Sequence, residues 1–549
     1  MKNRIEAEKM IKIAEAAKSR LSSVFSALED TYDYVAPQRV NFDHIANSGE
    51  SQTADIWDST ATIGVTSWAN NVQSILMPPQ KRWYNLALSE SIKNSKALND
   101  DEITHIETVL QNYTDILFDN FNQSNVYSVL NEAFQDLAVS TGVLSVNSTT
   151  ERIPFSFRAI SLSNITLDEN ADGKIDRFYR DINMSARLVV DKWGEIGQIP
   201  RHVEELARTT EDELVSLIEG SIEYKENNEI VYFYFVLDVK TKTYIYTEDK
   251  AYPPFIAFRM TKRPEDILGY GICQALLPTV KTLNLIKYYY LKSNKFAAFP
   301  AYLATKSGAF NPYTAVIEAG SIIPVNPGFA SEPPIAPLKQ GANLQLAGVT
   351  IEGLQQEVNA ALFVNPLGDV ATTKNRSEGE MRMRQENWAQ QNAVGIGRLN
   401  SELVRPVISA ALTILRSRGI LADIKTSLGT LRIDDTTSAI AINFNSPLVG
   451  MQDEEDAQKM IQFMQMINEI VGPSGMSAAV DMAAIPEYIA KKMGIDLDLV
   501  KTKSEVQAVM QQQAQAMQQQ QVEQEKAKAM ADNGSVPQSP IPYPVGQQQ

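Results

Sequence analysis

Residues 273–298 read CQALLPTVKTLNLIKYYYLKSNKFAA, and residues 343–363 read NLQLAGVTIEGLQQEVNAALF. Both carry apolar residues at helical spacing. At about 100° per residue, Leu276, Leu283, Ile286, Tyr290 and Ala297 fall on one side of the first helix. Lys281, Asn284, Tyr288, Lys292 and Lys295 fall on the other. In the second helix Ala347, Ile351, Leu354, Val358 and Ala361 form one stripe, and the exposed side is Gln, Glu and Asn. The first helix is well beyond the mean of about 11–12 residues. Pro278 is tolerated only near a first turn, so the regular part is expected to begin close to it. Between the two, Pro300, Pro312, Pro324, Pro327, Pro333, Pro334 and Pro337 forbid a long helix. A helix pair with an extended module at its tip suits a fixed presenting surface rather than a closed pocket.

Downstream, a Gly/Asn/Thr-rich loop holding Lys374 and Arg376 leads to Ser377-x-x-Glu380, a capping-box pattern. The helix it opens is expected to run to Arg418-Gly419, with a kink at Pro406. Upstream, the pattern predicts a helix to about Ala36, stopped by Pro37, and another from about Ala54 to Met77, stopped by Pro78-Pro79. Helices over Asp101–Asn120 and Val126–Ser140 follow, then strands from Gly142 to Phe178. Leu188–Gly194 and Glu211–Glu219 read as helical, and Ile230–Val239, Tyr244–Tyr246 and Phe255–Met260 as strands. Strands near Leu431 and at Ile440–Phe444 precede helices over Asp453–Val471 and Ile485–Met510. From Gln511 the chain is Gln-rich and of low complexity. The class is α+β, predominantly helical.

A chain of 549 residues should form two or more cores at about 100–200 residues per domain. No apolar run reaches the about 18–20 residues that span a bilayer, and the first residues lack a signal-peptide core, so a cytosolic chain and no membrane contact are expected. The single cysteine, Cys273, excludes internal disulfides and multi-cysteine metal sites within one subunit. A net charge of −16 argues against a broad basic grip on nucleic acid, while leaving open a protein that lets DNA move past it.

Catalytic chemistry is not legible. His44, His105 and His202 have no partner at metal-ligand spacing, and there is neither a phosphate-binding GxxxxGK loop nor a nucleophile elbow. No enzyme activity, metal or cofactor is expected. Residues 168–176 match the first nine positions of a calcium loop through Asp168, Asn170, Asp172 and Asp176, but Tyr179 stands where a bidentate Glu is needed. A hairpin closed by Asp172-Gly173 between Ile165–Leu167 and Ile175–Tyr179 accounts for the segment. The acids Asp453-Glu454-Glu455-Asp456 fit a helix start, where they meet the macrodipole.

Several segments together resemble the portal, or head-to-tail connector, proteins of short-tailed bacteriophages. The first set is Tyr34-x-x-Pro37, Asp58-Ser-Thr-Ala61, Trp68-Ala-Asn and Met77-Pro-Pro-x-x-x-Trp83. The second is Asp172-Gly-Lys-Ile-Asp176 followed by Arg180-Asp-Ile-Asn-Met184-Ser-Ala-Arg and Trp193-Gly194. The third is Tyr270-Gly271, Ala275-Leu-Leu-Pro278 and Lys281-x-Leu-Asn284. Order and spacing carry the likeness over about residues 20–420, and Cys273-Gln274 departs from the usual Gly-Pro-like start of the third set.

The resemblance implies a portal fold of wing, stem, clip and crown assembled as a ring, usually a dodecamer of twelve subunits, at one capsid vertex. It implies an α/β wing at 1–265, stem helix 1 at 266–298, a clip at 299–340 and stem helix 2 at 341–363. A tunnel loop at 364–377, the kinked helix and wing strands at 378–450, a crown at 451–510 and a Gln-rich tail at 511–549 complete the chain. Double-stranded DNA would pass through the channel during packaging and ejection. The partners implied are further copies of the chain, the terminase large subunit, tail adaptor or nozzle proteins, and the major capsid and scaffolding proteins. The place is the virion, with assembly in the host cytoplasm.

Lys374 and Arg376 are the first candidates for residues near DNA, with Lys281, Lys292 and Lys295 second; Asn311, Tyr313, Glu318, Glu332 and Lys339 are the clip candidates for partner docking. Apolar stripes with no third local helix must be buried against neighbours, as a cyclic ring allows. The short clip strands Ala315–Ile317 and Ile322–Val325 are expected to pair with another chain. A virion adaptor or scaffold ring without DNA contact explains the same pattern, with the lysines as solvated charge. A metal-dependent enzyme built on Asp168, Asn170, Asp172 and Asp176 is the third alternative.

Overall fold

The computed structural model describes residues 5–39, 55–79, 81–94, 98–149, 151–226, 229–298, 302–304, 335–337, 344–364, 388, 390–427, 429–434, 440–444, 457–467 and 469–470, with short pieces of 482–512. Lys374, Arg376, the five clip candidates, the strands at 315–317 and 322–325, the Ser377–Glu380 cap, the acids at 453–456 and His44 lie outside the described residues. Nearly all of the Gln-rich tail does too.

Two compact units are present: one holds Met1–Tyr84, Thr114–Asp423 and Arg432–Thr436, the other Asn85–Tyr113, Ile424–Leu431 and Thr437–Gln549. The chain opens with α1 (Ala7–Val35), α2 (Thr60–Leu76), β1 (Tyr84–Leu88), α3 (Glu90–Asn94), α4 (Asp100–Gln123) and α5 (Val126–Val139). Strands β2 (Thr141–Ser148), β3 (Phe155–Ala159), β4 (Ile165–Glu169) and β5 (Ile175–Ser185) come next. Then follow α6 (Ala186–Trp193), α7 (Arg201–Thr209), β6 (Leu214–Glu226), β7 (Glu229–Asp238), β8 (Thr243–Lys250) and β9 (Phe255–Arg259). The helices quoted at the outset are α8 (Ile272–Ala298) and α9 (Leu344–Ala361), with β10 (Tyr302–Ala304) and β11 (Ile335–Pro337) between them. After α9 come α10 (Ala393–Leu399), a π turn (Asn400–Val404) and α11 (Arg405–Ser417).

In the first unit an antiparallel meander, β4-β5-β6-β7-β8, forms the larger sheet. Its hairpin at 170–174 is the one expected: Gly173 has φ +76°, and Asn170 Oδ1 accepts the amides of Asp172 (2.9 Å) and Lys174 (3.1 Å). Alternation puts Tyr179, Ile218, Ile222, Phe233, Phe235 and Leu237 on one face, and Met10, Ile11, Ala14 and Ala17 of α1 cover them. On the other face Arg180 reaches Glu219 at 3.0 Å and the Tyr234 hydroxyl donates to the same carboxylate. A second sheet, β3-β2-β9, packs under α5, where Phe134 meets Phe258 edge-on. Gly142 makes that possible, since a Cβ there would sit 2.4 Å from the Phe258 ring.

The second unit contains the pairs β12 (Ile424–Thr426) with β13 (Gly429–Leu431) and β1 with β14 (Ile440–Phe444), and α12 (Ile485–Met493). Residues 457–467 are helical. Ile461, Phe463, Met466 and Ile470 are exposed.

Two local expectations are corrected. Glu211–Glu219 is not a helix: Leu214–Glu226 is strand β6, paired with β5 on one side and β7 on the other, so two ladders override a helix-compatible pattern. The helix in this region is α7, just upstream. Finally α8 begins at Ile272 and carries Pro278 inside it, because the loop before it is pinned to α5. There the Gly271 amide donates to the Val139 carbonyl at 3.1 Å and Gln274 Nε2 donates to it at 2.8 Å. A Cβ on Gly271 would lie 2.2 Å from the Ala138 carbonyl oxygen. Gly271→Ala therefore forces backbone apart and is expected to cost about 3 kcal/mol, seen as a lowered thermal midpoint and less soluble protein.

Pro406 also behaves as expected of a bend. It lacks an N–H, and the turn before it opens into a π turn in which the Arg405 amide reaches back to the Asn400 carbonyl. The helix ends at Gly419, φ +70°, with the Gly419 amide on Arg416 (2.9 Å) and the Ile420 amide on Leu415 (3.0 Å), a Schellman arrangement.

The candidate functional site on the paired helices

Helices α8 and α9 lie against each other, and the Thr279 hydroxyl reaches Glu357 at 3.4 Å. Antiparallel β10 and β11 close the far end, Tyr302 opposite Pro337. Cys273, Leu276, Val280 and Leu283 of α8 are buried, as are Ile351 and Val358 of α9, which matches the apolar stripe read for α9. The outward sides are not polar throughout. Leu285 is 53% exposed, Tyr289 56%, Leu346 64% and Val349 67%, so both helices present apolar area to solvent in a single chain.

The base of the pair is held by a polar clamp. The Asn284 side chain accepts the amides of Trp57 (2.6 Å) and Asp58 (3.2 Å) and donates to the Asp55 carbonyl at 2.9 Å. Asn284 was expected on the outward polar side; it is buried instead, with its amide satisfied by that loop. Asp58 is the other half of the clamp. Its carboxylate accepts the Thr60 amide at the start of α2 (3.0 Å) and the Gln355 side chain from α9 (2.7 Å), and Lys287 of α8 lies 3.4 Å away. Burial pushes the Asp58 carboxyl up, but the bonds from Thr60 and Gln355 and the Lys287 charge outweigh it and hold it below its ordinary value. One carboxylate thus joins the first turn of α2 to both helices of the pair. The Trp57 ring packs on Tyr288, 5.0 Å between centroids.

The described cation candidates differ in situation. Lys281 is ion-paired with Asp30 of α1 at 2.8 Å and stands over the Tyr34 ring. Lys292 and Lys295 are exposed near the end of α8, and Lys292 lies 5.6 Å from the Tyr288 ring centre. No sequence pattern marks Lys287, Gln355 or Asp58 as a site residue, although Asp58 and Asn284 each stand in a motif. The signal was present in the spacing, since Asn284 and Lys287 are three residues apart and share a helix face.

A second junction holds the π turn. Arg259, 3% exposed at the end of β9, is gripped by Glu402: the backbone amide donates at 2.8 Å and the guanidinium at 2.9 and 3.3 Å. The same guanidinium donates to the carbonyls of Ile267 (2.8 Å) and Gly173 (3.3 Å), and Glu169 lies 3.5 Å away. Nothing in the local sequence marks Glu402, because the π turn that aims it breaks helical periodicity.

The calcium-loop residues are engaged otherwise. Asp168 is paired with Arg20 at 3.0 Å and Arg177 at 3.5 Å. Among the described residues no group of three His, Cys, Asp or Glu side chains is placed to hold a metal ion, and no helix is long and apolar enough to cross a membrane.

The profile of the family described as bacteriophage head to tail connecting protein matches residues 7–500. No curated protein matches. Two solved structures are similar at 12% identity and a TM-score of 0.31. One is the neck of an empty GTA particle computed with C6 symmetry, covering 75% of this chain and 90% of that one. The other is the virion of a native gene transfer agent particle, covering 74% and 89%. A superposition that loose carries neither fold nor function.

Proposed function

The chain belongs to the bacteriophage head-to-tail connecting proteins, and we propose that it acts as their portal: a ring of copies, a dodecamer, through which double-stranded DNA is packaged and ejected. The observation that carries this reading is the clamped pair α8/α9, whose outward sides remain apolar at Leu285, Tyr289, Leu346 and Val349. Exposed apolar area on a rigidly held pair is covered when copies close cyclically. In that ring α8 and α9 are the stem, residues 1–265 and the strands beyond 418 the wing, 299–340 the clip, 364–377 the tunnel loop and 451–510 the crown.

The charge fits a conduit. A net −16 per chain repels phosphate, so DNA slides unless isolated cations touch it. Lys281 is neutralised locally by Asp30, which moves the weight to Lys292 and Lys295 together with Lys374 and Arg376. Asn311, Tyr313, Glu318, Glu332 and Lys339 would meet the terminase large subunit first and tail adaptor proteins later. Major capsid and scaffolding proteins would surround the ring at the vertex of the virion.

The test is a variant with Lys292, Lys295, Lys374 and Arg376 all changed to Glu, imaged down the particle axis and used in packaging. We expect rings of normal subunit number and packaged DNA reduced at least tenfold. Normal packaging by such rings leaves an adaptor or scaffold ring that does not touch DNA. A chain that stays monomeric under capsid-assembly conditions removes both.

A further inference from the structure

The outer sides of the paired helices carry a second repeat. On α8, Ala275, Pro278, Thr282, Leu285 and Tyr289 are exposed, spaced alternately three and four residues apart. On α9, Leu346, Val349, Gly353, Gln356 and Ala360 are exposed with the same alternation. At about 100° per residue each set falls within about 80° of its helix, roughly half a turn from the side buried within the pair. Alternate steps of three and four make the seam of a coiled coil, where a side chain of one helix enters a gap between residues of another. Each chain therefore has two such seams, facing away from each other on either side of one pair.

Two glycines mark α9 independently. Gly348 and Gly353 lie inside the helix, where glycine is the poorest helix former after proline. Among the described residues, nothing lies within 4 Å of where a Cβ would stand at either position. Packing within the described chain therefore gives no reason for them. A helix laid against Gly353 gives one, because the missing side chain leaves room for a neighbour's to enter.

Charge separates the ways in which copies could meet. Helix α8 contains no Asp or Glu, and α9 contains no Lys or Arg. Glu352, exposed beside Gly353, would meet its own copy if α9 paired with α9 about a two-fold axis at the centre of its seam. Laid on α8, it meets a helix without acids.

Symmetry then sets the register. The two helices run antiparallel, joined by β10 and β11, and the Thr279 hydroxyl reaches Glu357. Leu285 is accordingly level with Ile351, and Thr282 with Leu354. Copies in a ring stand at equal height, so with the helices along the axis the same levels hold between one copy and the next. Leu285 then faces the gap between Val349 and Gly353, and Thr282 the gap between Gly353 and Gln356.

We propose that α8 of one copy lies antiparallel against α9 of the next, with Leu285 seated between Val349 and Gly353, and that this one contact repeats around the ring. The inference rests on the ring reading and deepens it: the contact is heterologous, its partner is a second copy of this chain, and Gly353 is the residue that admits it.

Cysteine pairs in the full chain test the register: Leu285→Cys with Val349→Cys, and Leu285→Cys with Gly353→Cys. The native Cys273 is buried and does not compete. After oxidation under capsid-assembly conditions, at least one pair should give a ladder of linked chains that ends at the subunit number seen by imaging. Each single variant should remain unlinked. Gly353→Leu should raise the concentration needed for rings at least tenfold without lowering the thermal midpoint of the dissociated chain. Gly353→Ala should raise that midpoint, because it improves the helix. Rings that form while both pairs stay unlinked would overturn the contact and leave the ring standing. So would a single variant that links into dimers, a link within one chain, or Gly353→Leu rings at the parent's concentration. A parent chain that forms no ring would overturn both readings. None of these measurements depends on packaging.

Discussion

Arg259→Met should lower stability by about 3–5 kcal/mol, the usual consequence of removing one partner from a buried ion pair. The guanidinium ties together β9, the Ile267 carbonyl, the hairpin tip at Gly173 and Glu402 of the π turn. Its loss leaves a carboxylate and two carbonyls short of donors, each costly when kept from water. Most of that cost comes from the stranded carboxylate. The double substitution Arg259→Met with Glu402→Leu should accordingly recover part of the loss, because a buried pair replaced by apolar groups is often close to neutral. Denaturant titration of the two variants against the parent decides this. A loss under 1 kcal/mol for the single change would mean that the junction is not the anchor described.

Asp58→Ala has the second large expected effect, about 2–4 kcal/mol, because it removes the group that α2, α8 and α9 share. Asp58→Asn keeps an acceptor for the Thr60 amide but gives up the charge facing Lys287 and puts an NH2 where Oδ2 accepts from Gln355, so its cost should be smaller than that of Asp58→Ala, about 1–2 kcal/mol. The pH dependence has a definite sign. The folded carboxyl sits below its ordinary value, so its contribution is complete above the unfolded value near 4 and disappears as pH falls through the lower folded one. The gap between the parent and Asp58→Asn should be widest at neutral pH and close on acidification below about pH 4. A gap that widens in acid would contradict the clamp. If the helix pair must be held rigid for copies to associate, Asp58→Ala should also shift sedimentation towards monomer at temperatures where the chain is still folded.

The sequence disclosed those parts of the fold whose cause is local. Pro37 ends α1, Asp172-Gly173 closes a hairpin, Gly419 ends the long helix, and the Ile351–Val358 stripe of α9 is buried. Each follows from one residue's backbone preference or from a repeated spacing. Strand β6 departs from the helical pattern because its residues suit a helix about as well as a strand, and only the ladders on both sides decide. The site residues divide in the same way. Lys292 and Lys295 are exposed as their positions on the helix implied, and Lys281 lies on the same side but is claimed by Asp30, a residue far away in the chain. Asn284, Lys287 and Gln355 gain their roles from a carboxylate at position 58, and Glu402 gains its role from a turn that no periodicity announces. Long-range polar partners are set by tertiary structure, so a single sequence does not reveal them.

The π turn at Asn400–Val404 has a consequence for how this chain can change over time. It holds one residue more than an α-helix would use for the same stretch, and every residue after it is rotated by that surplus. If the same residues were wound as ordinary α-helix straight through, α11 would turn by about 100°. Val407, Ile408, Ala411, Leu412 and Leu415, now in the core, would swing away from it. A straight helix of the same length would therefore be a worse one, and only loss of the surplus residue would straighten the helix while keeping the core face of α11 where it is.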